Sequence, residues 1–246
     1  MEGRGARSLG VILARGASKR VPRKVLREVG GHPLLAWMVR AALNSGLDRV
    51  VFSTEDSEVA EVAKRYGADV PFLRPAALAT DTVRNDQVLL HALDAMEARG
   101  EGPYPVCVLL QSTAPFALPD DIDRCVAELV ATPSANCVFA ARPVREQPSW
   151  MFQPDAEGVA RLLLGGELIG SRQLTQSLAP CFFPAGSVWA VRSASLRERQ
   201  AVYAPPVRMV VVPGERAVDI DEEVDLVVAH AMARHFGYQL LGAPAS

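Results

Sequence analysis

A chain of 246 residues with 49% hydrophobic residues and a formal net charge of −2 is long enough to bury a sizeable core in one α/β domain, and it lacks the positive excess that a nucleic-acid partner would select. No apolar run approaches the length that spans a bilayer, and the stretch after the basic N-terminus is too short for a secretion signal, so a cytoplasmic protein with no membrane partner is expected. Cys107, Cys125, Cys137 and Cys181 are scattered without C-x-x-C spacing, which argues against a zinc site or a disulfide framework.

The first predicted element is a buried strand over Gly10–Ala14, which breaks into the loop R-G-A-S-K-R-V-P-R-K. Arg15, Lys19, Arg20, Arg23 and Lys24 crowd this loop, while Gly16, Ala17 and Ser18 let backbone N–H groups approach a ligand closely. A solvated basic turn is the plainer reading. The position just after a first strand, where open α/β sheets set their ligands, points instead to a phosphate cradle.

Gly30-Gly31 makes a turn, and Leu34, Leu35, Met38, Val39, Ala42 and Leu43 recur at helical spacing until Gly46. Arg49–Ser53 reads as a strand, and Thr54-Glu55-Asp56-Ser57 opens a second helix closed by Gly67. Asp69–Leu73 is extended, but Pro71 and Pro75 confine it to a sheet edge or an irregular segment. A third helix spans Arg84–Ala98. Val106–Leu110 is the central apolar strand, ending in the polar turn Gln111-Ser112-Thr113-Ala114-Pro115.

Pro119, Asp120 and Asp121 open a fourth helix with acids at its positive end, and Ala135–Ala141 is the next strand. From Arg142 to Pro184 the alternation fails, and the segment is read as an excursion that covers the site and contacts a second subunit, or as an ordered surface loop. Regular structure resumes with the strand Ser187–Val191, a short helix near Ser195–Gln200, the strand Arg208–Val212 and a final helix from Glu222 to about Phe236. Strands alternating with helices predict a mostly parallel, Rossmann-like three-layer α/β sandwich, one domain over 1–246 with 142–184 inserted in it.

Asp219-Ile220-Asp221 is the second informative constellation. In an extended segment side chains alternate, so both carboxylates share a face and Ile220 takes the other. Magnesium suits such a pair, because it accepts one or two carboxylates and fills its other positions with water and phosphate oxygens. The competing reading makes Asp221 the N-cap of the final helix.

The loop A-R-G-A-S-K-R-V-P-R-K resembles the N-terminal signature of the acylneuraminate cytidylyltransferases, with a looser likeness to their relatives acting on 3-deoxy-manno-octulosonate. V-D-I-D-E-E-V-D-L is similar to the family's C-terminal signature, S-T-E-D-S-E-V-A-E-V-A-K-R-Y-G-A-D-V-P-F-L-R-P to its segment after the second strand, A-T-D-T-V-R-N-D-Q to the next stretch, and L-L-Q-S-T-A-P to its L-L-Q-P-T-S-P. The resemblance implies a nucleotide-diphospho-sugar transferase type of fold, a homodimer, and a reaction that joins CMP from CTP to an acidic sugar with release of pyrophosphate.

It also implies roles. Asp219 and Asp221 would hold magnesium, Arg74 and Asn85 would lie at the nucleotide, and Gln111 would contact the acceptor. Arg15, Lys19 and Lys24 are assigned to the triphosphate, Leu13 and Ala14 to the base through their backbone, and Gly16 and Ser18 to the loop's backbone contacts.

The acceptor half departs from the family. Val25 stands where an asparagine is usual, Phe116 and Ala117 follow the L-L-Q segment where an arginine is frequent, and Pro184-Ala185-Gly186-Ser187 replaces P-N-G-A. Arg172 is a candidate substitute for the missing cation. Trp189 is a candidate acceptor contact that borders the irregular segment, a subunit contact being the other reading. An octulosonate or phosphonate acceptor therefore stays open, as does a regulatory module that binds nucleotide without turnover. His32, His91, His230 and His235 stand apart from any ligand cluster and take surface or packing roles.

Overall fold

The computed structural model describes residues 6–165 and 178–242. In chain order the elements are β1 (Ser8–Leu13), β2 (Glu28–Val29), β3 (His32–Pro33), α1 (Leu34–Leu43), β4 (Arg49–Ser53), α2 (Ser57–Arg65), α3 (Asn85–Ala98), β5 (Val106–Gln111), α4 (Pro119–Ala131) and β6 (Cys137–Pro143). There follow β7 (Phe152–Pro154), β8 (Ala160–Leu162), β9 (Phe182–Arg192), α5 (Ser193–Arg199), β10 (Val207–Val211) and α6 (Glu223–Phe236).

Six strands form one sheet in the order β10-β6-β9-β5-β1-β4. β1 runs parallel to both neighbours and is buried at every residue, which is why its sequence is continuously apolar rather than alternating. α1, α2, α4 and α6 pack against one face, on Ile12, Val108 and Leu110. α3 and α5 cover the other, on Leu9, Val11 and Leu109. The three-layer expectation holds, with helices on both faces of a sheet that is parallel except for β9.

β9 corrects the reading of its region. It runs antiparallel to both β5 and β6 over eleven residues and starts at Phe182, inside the stretch expected to be irregular. A register shift between Phe139 and Ala141 accommodates Pro184, which pairs with Ala141. β7 and β8 form a separate hairpin whose three-residue strands are too short to display a period of two.

α1 also differs from the striped helix expected. Eight of its ten residues are buried, Leu34–Val39 without interruption, because its sequence is apolar nearly all round and it is enclosed by the sheet and neighbouring helices. Asp69–Leu73 is irregular, held beside β4 by the Asp69 carbonyl accepting from the Phe52 N–H. Among the described residues no helix is long and apolar enough to cross a membrane.

Candidate active site

The register aligns Leu13 with Ser53 on one side and Gln111 on the other, so β1, β4 and β5 end together at the carboxyl edge of the sheet. A cleft of about 550 Å³ opens there. Its lining includes Leu13, Ala14, Arg15, Ser18, Lys19, Lys24, Arg74, Asn85, Gln111, Asp219 and Asp221, and the expected residues thus converge from five separate parts of the chain.

The basic loop and the twin acids meet directly. Lys24 Nζ, on a side chain only 14% exposed, donates to the Ile220 carbonyl at 2.6 Å and lies 3.0 Å from Asp221 Oδ1, which Arg20 also reaches at 3.0 Å. Ile220 is wholly buried and its N–H donates to the Thr113 carbonyl, so the segment is pinned on one side and shows both carboxylates to the cleft on the other. The Asp221 cap reading is not realised: it is Asp225 that reaches back to the N–H groups of Asp221 and Glu222 at the start of α6.

The remaining loop cations divide into two sets. Arg15 and Lys19 share Asp81, at 3.1 and 2.6 Å, and these two cations hold its carboxyl below the usual range. Arg23 turns away to Asp56 and Glu58, in a left-handed conformation with φ of 55°, and does not line the cleft. Among the described residues no hydrogen bond engages the N–H groups of Ala17, Ser18 and Lys19, which leaves three backbone donors beside the four loop cations that line the cleft.

Two expectations need correction, and a third, Trp189, a change of place. Gly16 does not offer its N–H to the cleft, because that group donates to Glu55 Oε1 at 2.8 Å; a Cβ there would stand 2.0 Å from Asp56 Oδ2, so glycine is needed for packing. The Leu13 carbonyl accepts from the Ser112 hydroxyl at 2.6 Å and from its N–H at 3.4 Å, whereas among the described residues the Ala14 carbonyl accepts from Arg74 Nη2 alone and keeps its second lone pair for a ligand. Trp189 lies outside the cleft, in a neighbouring pocket of about 400 Å³ with Leu109, Val202 and Tyr203, joined to the cleft by Asn85, which lines both. Arg172 lies outside the described residues.

Asp81 and Glu55 were not singled out by sequence. Glu55 sat in a cluster that reads as a helix start, and nothing in that spelling tells which acid caps α2 (it is Asp56, accepting from the Val59 N–H) and which faces the loop.

Asp219 is electrostatically distinct from Asp221. Protein crowding, with Asp221 adding to it, pushes its carboxyl above the ordinary range, against the Thr113 hydroxyl and Lys24. Among the described residues Asp219 has no ion-pair partner, whereas Asp221 has two. Two neighbouring carboxylates, one of them without an ion-pair partner among the described residues, are a donor set that suits magnesium, which completes its shell with water and phosphate oxygens.

A sequence model of the cytidylyltransferase family matches residues 9–163. Among characterised proteins, a CMP-N,N'-diacetyllegionaminic acid synthase of Legionella pneumophila is 31% identical over 89% of this chain and 93% of its own. A pseudaminic acid cytidylyltransferase of Campylobacter jejuni is 30% identical over 91% of this chain and 94% of its own. Among solved structures, a CMP:2-keto-3-deoxy-manno-octonic acid synthetase complexed with CTP superposes with a TM-score of 0.66 at 18% identity, over 94% of this chain and all of that one. A 4-diphosphocytidyl-2C-methyl-D-erythritol synthase from Anaerococcus prevotii gives 0.62 at 12% over the same shares. With the sheet order, the cleft and both signatures already in place, these matches show that the chain belongs to the cytidylyltransferase family.

Proposed function

We propose that the chain transfers CMP from CTP to a sialic-acid-like nonulosonate, releasing pyrophosphate. The observation that carries this reading is the meeting of Lys24 with Asp221, which brings an N-terminal cationic loop and a C-terminal acidic pair to one cleft across nearly 200 positions of sequence.

Arg15, Lys19, Lys24 and the free N–H groups of Ala17, Ser18 and Lys19 hold the triphosphate, and the cations neutralise the charge that grows on the departing pyrophosphate. Asp219 and Asp221 hold magnesium, which supplies further positive charge to the phosphate oxygens. The Ala14 carbonyl, Arg74 and Asn85 hold the cytidine. Gln111, at the end of β5, orients the acceptor so that its anomeric hydroxyl oxygen bonds to the α-phosphorus in line as the bond to the β-phosphate oxygen breaks.

The pocket holding Trp189 extends this site toward an acyl-amino substituent. Its lining combines Leu109, Val202 and Tyr203 with Arg84, Asp86, Arg199 and Gln200, a mixed surface suited to the apolar and amide parts of such a group. Relatives named for diacetyllegionaminic and pseudaminic acids support a nonulosonate of that kind.

The described part of the 142–184 excursion supports a homodimer. Around the β7–β8 hairpin Trp150, Phe152, Val159, Leu163 and Leu164 are all exposed, as is Phe183 at the root of β9, an apolar surface that a second copy would bury. Dependence on CTP is consistent with a cytoplasmic enzyme. The test is pyrophosphate release from CTP with a panel of nonulosonates and octulosonates, with and without magnesium. Magnesium-dependent release with a nonulosonate is expected; the absence of release with every acceptor would refute the reading.

A further inference from the structure

Glu55 is placed where one carboxylate governs several groups of the site. Its Oε1 accepts from the Gly16 N–H at 2.8 Å, and its Oε2 accepts from Arg74 Nη2 at 2.7 Å. The same Nη2 donates to the Ala14 carbonyl at 2.5 Å. The base of the phosphate loop, the buried guanidinium and the Ala14 carbonyl are thus tied to one side chain that is itself 19% exposed and does not line the cleft.

Arg74 depends on that tie. It is 3% exposed, and its one ion-pair partner among the described residues is Glu55. Its Nε, also buried, has no hydrogen-bond partner among the described residues, and the side chain lines the cleft. With Nη2 consumed by Glu55 and Ala14, the orientation Glu55 imposes decides which donor remains for a ligand. A carbonyl held by Arg74 through one lone pair, with the other left for a ligand, suits cytosine, whose exocyclic amino group is a donor where uracil carries an acceptor oxygen.

We propose that Glu55 is a positioning residue for base selection: by locking Arg74 against the Ala14 carbonyl it sets the donor and acceptor pattern that admits cytosine and rejects uracil. This rests on the reading that Ala14 and Arg74 hold the cytidine.

The test compares wild type, Glu55→Gln, Arg74→Gln and the double variant. Glutamine keeps an oxygen for the Gly16 N–H but turns an amide N–H₂ toward the guanidinium. Glu55→Gln is expected to raise the KM for CTP and the Kd for CMP about tenfold, to lower the CTP over UTP preference by a similar factor, and to leave kcat and the affinity for inorganic pyrophosphate within about threefold. In the Arg74→Gln background the second substitution should add less than about twofold to the CMP Kd, because the two residues act as a unit.

Wild-type CMP affinity and base preference in Glu55→Gln overturns the proposal, as does an equal loss of pyrophosphate binding, which signals general disorder of the loop. Should a lone buried guanidinium prevent Glu55→Gln from folding, the double variant carries no such charge, and a weaker CMP affinity in it than in Arg74→Gln overturns the proposal equally. A wild-type enzyme that fails to use CTP at all sinks the underlying reading instead.

Discussion

The nucleotide end of the cleft and the β7–β8 hairpin are built on opposite terms. At the cleft each loop cation has an acid from elsewhere in the chain, Asp81, Asp56, Glu58 or Asp221, and Ile220 is buried beneath the acidic pair. At the hairpin the strands are three residues long, and its large apolar side chains face outward, with Trp150 57% and Leu164 68% exposed. The first region is largely completed from within, since each loop cation meets an acid and Ile220 is buried, with Asp219 left without an ion-pair partner among the described residues. The second has apolar area that no described residue covers, the surface the proposed homodimer would bury.

The largest expected effect breaks the first region alone. Lys24→Met removes the cation that ties the loop to the acids, and kcat/KM for CTP should fall by roughly 10²–10³-fold in a pyrophosphate-release assay while circular dichroism stays native. Charging the hairpin, with Trp150→Glu and Phe152→Glu together, should do the reverse: light scattering would report monomers, while CTP affinity by calorimetry stays within about twofold because neither residue lines the cleft. Monomers that lose CTP binding altogether would erase the contrast.

Gly186 sharpens the comparison from within β9. It has φ of 75°, and a Cβ there would stand 2.7 Å from Asp219 Oδ2. Gly186→Ala should therefore lower thermal stability by about 1 kcal/mol or more and reduce kcat through displacement of Asp219. Asp219→Asn should separate these two effects. Because Asp219 has a raised carboxyl pKa, the folded state holds its proton more tightly than the unfolded chain, and stability falls as pH rises through that range. The neutral isostere should melt a few degrees higher in chelator, at roughly 2–4 °C per kcal/mol, yet be inactive.

The smallest effect lies outside both regions. Burial, with Arg74 adding to it, lowers the pKa of His91 from 6.5, so the folded state binds this proton less tightly than the unfolded chain. Melting temperature should drop as pH falls below 6.5, and His91→Gln should flatten that part of the profile.

Much of this was legible in the residues. The buried run of β1, the bounds of β4 and the alternation of Asp219 and Asp221 about Ile220 follow from periodicity, because local spacing alone dictates them. The family followed from two signatures far apart in sequence. What stayed hidden depends on tertiary direction. That β9 runs antiparallel, that Trp189 occupies a neighbouring pocket and that the Gly16 N–H goes to Glu55 are set by which strand passes beside which, and single-sequence spacing carries no such information.

The claim on which the rest depends is that the basic loop and the acidic pair serve one metal-bound nucleotide. Calorimetric titration of CTP, with and without magnesium, into wild type and into the Asp219→Asn/Asp221→Asn variant tests it directly. Magnesium should strengthen CTP binding by about tenfold or more in wild type and leave it unchanged in the variant. An equal gain from magnesium in both proteins would contradict the account.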